Sequence, residues 1–242
     1  MHDKMLWFNP NIQFLFHGNI VEYDMSKASL SVCERFELLD KNEIERMKLL
    51  PKLEREICMG KHQKNNKEFS NQLLEGIREI RRKFLEANGL DESNIMSLHN
   101  DACIFNSRKK IVDTIDGIKF HHDNTWCGYM RYGRAEIFYG ENSDGSGFMD
   151  IKNVPKDIIH QHTFGLNKYL MKVFGYIENY DMTVFKYVSK FNKLYLQDKL
   201  PEYYYFPFGK AGNYKNTNLE LFAVIADMLI KEVKTWKHSN EI

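Results

Sequence analysis

No stretch of this sequence approaches the ~20 consecutive apolar residues that a membrane helix requires, so no membrane partner is expected. An excess of one charge is also lacking: 34 Lys+Arg against 33 Asp+Glu leave a formal net charge of +1. No global field therefore draws the chain onto nucleic acid or an anionic surface, and any nucleic-acid contact has to come from a local basic patch. Cysteine is scarce and dispersed. Cys33, Cys58, Cys103 and Cys127 form no CxxC pair and sit among apolar or helix-forming neighbours, so they are read as reduced thiols acting as small hydrophobes. The opening MHDKMLWFNPNIQFLF is interrupted by Asn9, Pro10, Asn11 and Gln13 and has neither a basic start nor a small-residue cleavage site. The expected location is the cytoplasm.

What is present is apolar surface: 43% of the 242 residues are hydrophobic and 14% aromatic, enough for one substantial core or two small ones sharing an interface. Runs at 12–16 and 20–24 flank His17-Gly18-Asn19 and read as a β-hairpin. From Ser26, a candidate cap, Ala28, Val32, Phe36 and Leu39 recur at helical spacing. Asp40 can cap a second helix to Leu50, and Pro51 suits the first turn of a third that runs towards Lys61. The clearest helix spans 68–88, with Phe69, Leu73, Ile77, Ile80 and Phe84 in one stripe and Gly89 placed to stop it.

The β pattern returns at 95–98 and 102–105 around His99-Asn100-Asp101, a second hairpin with an acid at its tip. Further strands are expected at 117–120, 127–132, 135–139 and 148–151, with NSDGSG at 142–147 as a loop. Helices are expected at 156–164, 166–180, 182–197 and 218–236, with an ordered aromatic loop at 201–212. The fold class is α+β: an antiparallel sheet domain over 1–152 with a helical insertion at 26–90, followed by a helical C-terminal part over 153–242.

One constellation carries chemistry. Two-metal phosphoryl transfer needs carboxylates on rigid backbone that converge on ions ~4 Å apart. Asp24 closes the strand IVEYD just before a helix, and Asp101 lies on the hairpin tip SLHNDACIF. If those elements are neighbours in one sheet, the acids meet. Glu22 lies two residues before Asp24 on the same side of the strand and offers a third oxygen ligand.

The run from Glu22 through Tyr23, Asp24, Met25, Ser26, Lys27, Ala28 and Ser29 to Leu30 resembles the first palm motif of template-directed polymerases. His99-Asn100-Asp101 inside SLHNDACIF is similar to the third, a hairpin whose tip carries the second metal-binding aspartate. Between them, Lys61-His62-Gln63-Lys64-Asn65 is similar to the Lys-x-x-x-Asn start of the family B fingers motif, although Asn66-Lys67-Glu68-Phe69 replaces its Ser-x-Tyr-Gly continuation. Ala102 stands where the third motif usually has a second acid. The resemblance implies a palm-like sheet, Mg²⁺ or Mn²⁺ on Asp24, Asp101 and Glu22, and a nucleoside triphosphate held by Lys61, Arg55 and Asn65, with nucleic acid as a partner. The chain also resembles proteins of large tailed phages, a likeness that implies no mechanism. The opposing reading is a non-enzymatic protein that binds a phage or host protein through its helical C-terminal part.

Other candidates are weaker. His121-His122-Asp123 suggests a metal, but adjacent strand residues point to opposite faces, so only one histidine can join a given site. His160 and His162 fall in an expected helix, where i and i+2 share no face. Both sets are read as solvated. Cys103 and Cys127 sit in apolar runs unsuited to a thiolate nucleophile. The glycine-rich stretches at 145–147 and 209–213 lack the strand, loop and helix order of a phosphate loop. Arg78, Arg81, Arg82 and Lys83 are read as a solvated helix face rather than a phosphate-backbone contact, and Tyr203 to Phe206 as a packed loop rather than a stacking platform.

Overall fold

A computed structural model describes residues 4–132, 134–153, 164–197 and 199–201. The architecture is α+β, with two antiparallel sheets and helices, and it divides into two compact units, one of residues 1–12 and 19–125, the other of 13–18 and 126–242.

The first unit holds β1 (Leu6–Phe8), β3 (Ile20–Met25), β4 (Ile95–His99), β5 (Ala102–Asn106), β6 (Thr114–Ile115) and most of β7 (Ile118–Trp126) in one sheet. Its strand order is β1-β4-β5-β3-β7-β6. Asp24 pairs with Ala102 across β3 and β5, and His99 with Ala102 across the β4–β5 hairpin. The helical insertion between β3 and β4 contains α1 (Ala28–Arg35), α2 (Lys41–Leu49), α3 (Lys52–Asn65) and α4 (Lys67–Ala87). Asp40 caps α2 by accepting from the Glu43 amide, and Asn66 caps α4 by accepting from Phe69. Gly89, at φ 61°, takes the left-handed turn that ends α4.

Strand alternation decides which face meets the helices. Val21, Tyr23 and Met25 of β3, Cys103 and Phe105 of β5 and Ile118 and Phe120 of β7 pack with Leu73, Ile77, Ile80 and Phe84 of α4. Phe84 stacks on Phe120 at 4.1 Å between ring centroids. Glu22, Asp24, His121 and Asp123 have the other parity and project away from that core. At Gly76 a Cβ would stand 2.5 Å from Val32; only glycine lets α1 and α4 approach so closely.

The second unit contains β2 (Phe14–Leu15), β8 (Gly128–Tyr132), β9 (Ala135–Glu141) and β10 (Gly147–Lys152) in the order β10-β9-β8-β2, with α5 (Phe164–Glu178) and α6 (Thr183–Leu196). Met130, Ile137 and Tyr139 share a core with Tyr169, Leu170, Val173, Phe174 and Ile177. The division expected at 152 lies inside this unit, because β8 to β10 bury their apolar side chains against the helices that follow them. The hairpin expected around His17-Gly18-Asn19 is not formed: β2 pairs with β8 and β3 with β5. His17 turns at φ 55°, and the Gly18 amide donates to the Cys127 carbonyl, so the short loop is a crossing from one sheet to the other. The four cysteines are free thiols. Among the described residues no helix is long and apolar enough to cross a membrane. The helices expected at 156–164 (all but its last residue) and 218–236, His160 and His162, all but the first residue of the aromatic loop at 201–212, and the glycine-rich stretch at 209–213 lie outside the described residues.

Candidate metal centre

Asp24 is delivered by β3 and Asp101 by the adjacent β4–β5 turn, where Asn100 takes φ 47° and the Met25 amide lies 3.3 Å from the Asp101 carbonyl. That turn is anchored from beneath. Arg81 of α4 is fully buried, and its guanidinium donates to the Asn100 carbonyl at 2.6 Å and to the carbonyls of Lys4 and Met5. The solvated reading of this arginine is therefore corrected: it falls on the buried side of α4. Arg78 and Arg82 pair with Glu75 and Glu86 along the exposed side, and Lys83 with Glu79 and Asp116.

Beside Asp24 runs β7. Its Ser26 amide contact to the Lys119 carbonyl at one end and the Asn124 amide donated to Glu22 at the other show that β7 is antiparallel to β3. This register brings His121 and Asp123 to Asp24. The His121 Nε2 lies 3.0 Å from Asp123 Oδ1 and 4.0 Å from Asp24 Oδ2, and one ligand atom of each of the three falls within 4.8 Å of the others. Ser26, expected to cap α1, instead places its hydroxyl 3.1 Å from His121 Nδ1; Lys27 holds the cap position with no side-chain bond.

The acids are poorly compensated. Burial, then the charge of Asp101, push the Asp24 carboxyl up to about 6, with His121 opposing and Asp123 and Glu22 adding to the rise. Burial also raises Asp101, against its own backbone N–H, Arg81, Lys52 and His121. The inner oxygen of Asp24, Oδ1, is buried with no hydrogen-bond partner among the described residues. A buried carboxylate oxygen without a donor is costly unless a cation meets it, so the donor set of Asp24, His121 and Asp123 fits a divalent metal ion.

These groups line an open cleft of about 550 Å³, within the size range of small-molecule sites. The facing wall is α3, which contributes Lys52, Arg55, Glu56, Met59 and Gln63, positions one helical turn apart. Of the residues singled out from sequence, Asp24, Asp101 and Arg55 line this cleft. Glu22 does not; it is buried and accepts from Asn124. Lys61 and Asn65 are exposed and each lies two positions from a cleft-lining residue or from its turn-mate, about 200° round the helix.

Residues 1–238 match the family model described as Bacteriophage PBS1 gene 130 protein. The chain belongs to that family. No curated protein matches it. Membership in the gene 130 family agrees with the phage likeness read from the sequence, and it carries no chemistry of its own. In this member of the gene 130 family the cleft holds His121 and Asp123, which the sequence reading set aside as solvated, and Lys52, which it did not single out. A signal existed for the first two: residues i and i+2 on a strand share a face, so the informative pair was His121 with Asp123, not His121 with His122. For Lys52 the signal was the i, i+4, i+7 and i+11 spacing of Lys52, Glu56, Met59 and Gln63.

Proposed function

We propose that this cleft is a palm-type nucleotidyl-transfer site that works with divalent cations. The observation that carries the reading is the arrival of Asp24 and Asp101 from adjacent strands at one cleft walled by cationic side chains. The strand order β4-β5-β3-β7, with one acid at the end of the central strand and the other on the neighbouring hairpin tip, supports it, because that is what the sequence likeness to a palm requires. Asp24 and Asp101 would hold Mg²⁺ or Mn²⁺, and Glu22 would support Asp24 from one pleat away. A cation bound there supplies charge neutralisation for a transferring phosphoryl group.

Lys52 and Arg55 would bind the phosphate oxygens from α3, Lys52 taking the place that the fingers likeness gives to Lys61. Lys61 and Asn65 would then act outside the cleft. A second reading, a non-catalytic protein that binds a protein partner, is favoured by the exposed apolar side chains Leu49, Leu53 and Ile57. Isothermal titration with Mg²⁺ or Mn²⁺ and a nucleoside triphosphate separates the two. Binding that is lost in an Asp24→Ala, Asp101→Ala double variant with intact circular dichroism supports the transferase; equal or absent binding in both proteins favours the interaction protein.

A further inference from the structure

We propose that His121 makes the Asp24 and Asp123 pair a mixed nitrogen and oxygen site that selects a first-row transition cation, with Mn²⁺ as the test ion, over Mg²⁺. The inference shares Asp24 with the nucleotidyl-transfer reading and adds the identity of the ion.

The spacing supports a single ion. With metal–ligand bonds of about 2.1 Å, ligands at right angles stand about 3 Å apart and opposed ligands about 4.2 Å. The His121 Nε2 lies 3.0 Å from Asp123 Oδ1 and 4.0 Å from Asp24 Oδ2, so the two separations from the imidazole nitrogen match those of a neighbouring and an opposed ligand, and one ligand atom of each residue lies within 4.8 Å of the others. An outer contact then orients the ring. The Ser26 hydroxyl lies against Nδ1 at 3.1 Å; with the proton on Nδ1, the hydroxyl accepts it and Nε2 presents its lone pair to the two carboxylates. Such a partner on the second nitrogen is the usual companion of a metal-bound imidazole. The other oxygen of the same carboxylate, Asp24 Oδ1, is buried with no competing hydrogen bond among the described residues.

Chemistry sets the preference. Mg²⁺ favours oxygen ligands and gives up its waters reluctantly, whereas imidazole nitrogen suits first-row ions such as Fe²⁺, Ni²⁺, Cu²⁺ and Zn²⁺, and Mn²⁺, the weakest binder of that row, gives the stringent test. The cations on the opposite wall do not compete for the same atoms, since Lys52 and Arg55 only line the cleft and the described contacts of His121 are to Ser26, Asp24 and Asp123.

The test titrates Mn²⁺, followed by loss of the free-ion electron paramagnetic resonance signal, and Mg²⁺, followed by calorimetry, into the full chain. The unmodified protein is expected to bind Mn²⁺ at least about tenfold more tightly than Mg²⁺. His121→Asn should weaken Mn²⁺ binding by about 10- to 100-fold and Mg²⁺ binding by less than about threefold. His121→Asp, which restores an oxygen ligand, should bind both ions with the Mn²⁺ preference lost, and this variant also answers a folding failure of the asparagine one. Ser26→Ala should weaken Mn²⁺ alone. Unchanged Mn²⁺ affinity in His121→Asn would reduce the contact to an ion pair with Asp123 and overturn the inference while leaving the Asp24 and Asp101 reading standing. Conversely, Mn²⁺ binding that needs His121, with no triphosphate binding that needs Asp101, would keep the ion site and remove nucleotidyl transfer.

Discussion

Each compact unit contains a carboxylate with almost no exposure to solvent at one or more of its oxygens, and the two are treated in opposite ways. Glu136 in the second unit is fully buried, and both its oxygens are met: Tyr129 donates its hydroxyl at 3.0 Å and Asn153 its amide at 2.9 Å. Asp24 in the first unit keeps a buried oxygen with no donor and has three further acids around it. The first acid belongs to a satisfied core network. The second is held in a state that costs free energy in the absence of a cation, which is how a binding site differs from a structural polar cluster.

The largest expected effects come from breaking the frame around each acid. Arg81→Met removes the donors to three carbonyls beneath the Asp101 turn and should destabilise the protein by about 3–4 kcal/mol. Urea unfolding measures the loss, and hydrogen exchange should show it first in peptides covering 95–106. Glu136→Ala leaves the buried Tyr129 hydroxyl without its acceptor and removes the partner of the Asn153 amide, and should cost about 2–3 kcal/mol. Its exchange signature belongs in peptides covering 128–153, with Mn²⁺ binding unchanged. If Glu136→Ala instead abolished ion binding, the contrast between the two acids would collapse.

Asp24→Asn should have the opposite sign. A carboxyl raised to about 6 from an ordinary 3.8 is protonated in the folded state over a pH range where the unfolded chain is ionised. Folding stability therefore falls as pH rises through about 4 to 6, and above that range the full cost is present. Removing the charge should stabilise the ion-free protein at pH 7.5 by about 1–2 kcal/mol, after discounting for partial exposure, and should flatten its pH profile between 4 and 6. The same variant should lose Mn²⁺ binding. A destabilised Asp24→Asn protein at pH 7.5 would show that the native contacts of the carboxylate outweigh its repulsions.

How far these acids were legible from sequence follows from the range of the interactions. Asp40 as a cap, the Phe69 to Phe84 stripe and the β4–β5 hairpin are local patterns, fixed by groups a few residues away, and they are found where the sequence puts them. The loop His17-Gly18-Asn19 looked equally local, yet β2 pairs with β8 and β3 with β5, far along the chain. Arg81 was misread because composition marks a helix face as basic without saying which arginine turns inward. His121 and Asp123 share a face by simple alternation, but only the pairing of β7 beside β3 places that face against Asp24.

The smallest expected effect bears on how the site acid, unlike Glu136, depends on charges across open space. Lys52 acts on Asp101 from the cleft wall, while Lys61 projects from the exposed side of the same helix. Lys52→Ala should weaken binding of a Mn²⁺-loaded nucleoside triphosphate by about tenfold, equivalent to about 1.4 kcal/mol. Lys61→Ala should change it by less than about twofold, because Lys61, unlike Lys52, does not line the cleft and salt screens a charge that acts from farther away. Both variants keep the helix, because lysine and alanine are good helix formers at solvent-facing positions. The reverse ranking would return the triphosphate to the face of α3 that carries Lys61 and Asn65, and would mean that α3 turns relative to β3 and the β4–β5 hairpin when the ligand binds.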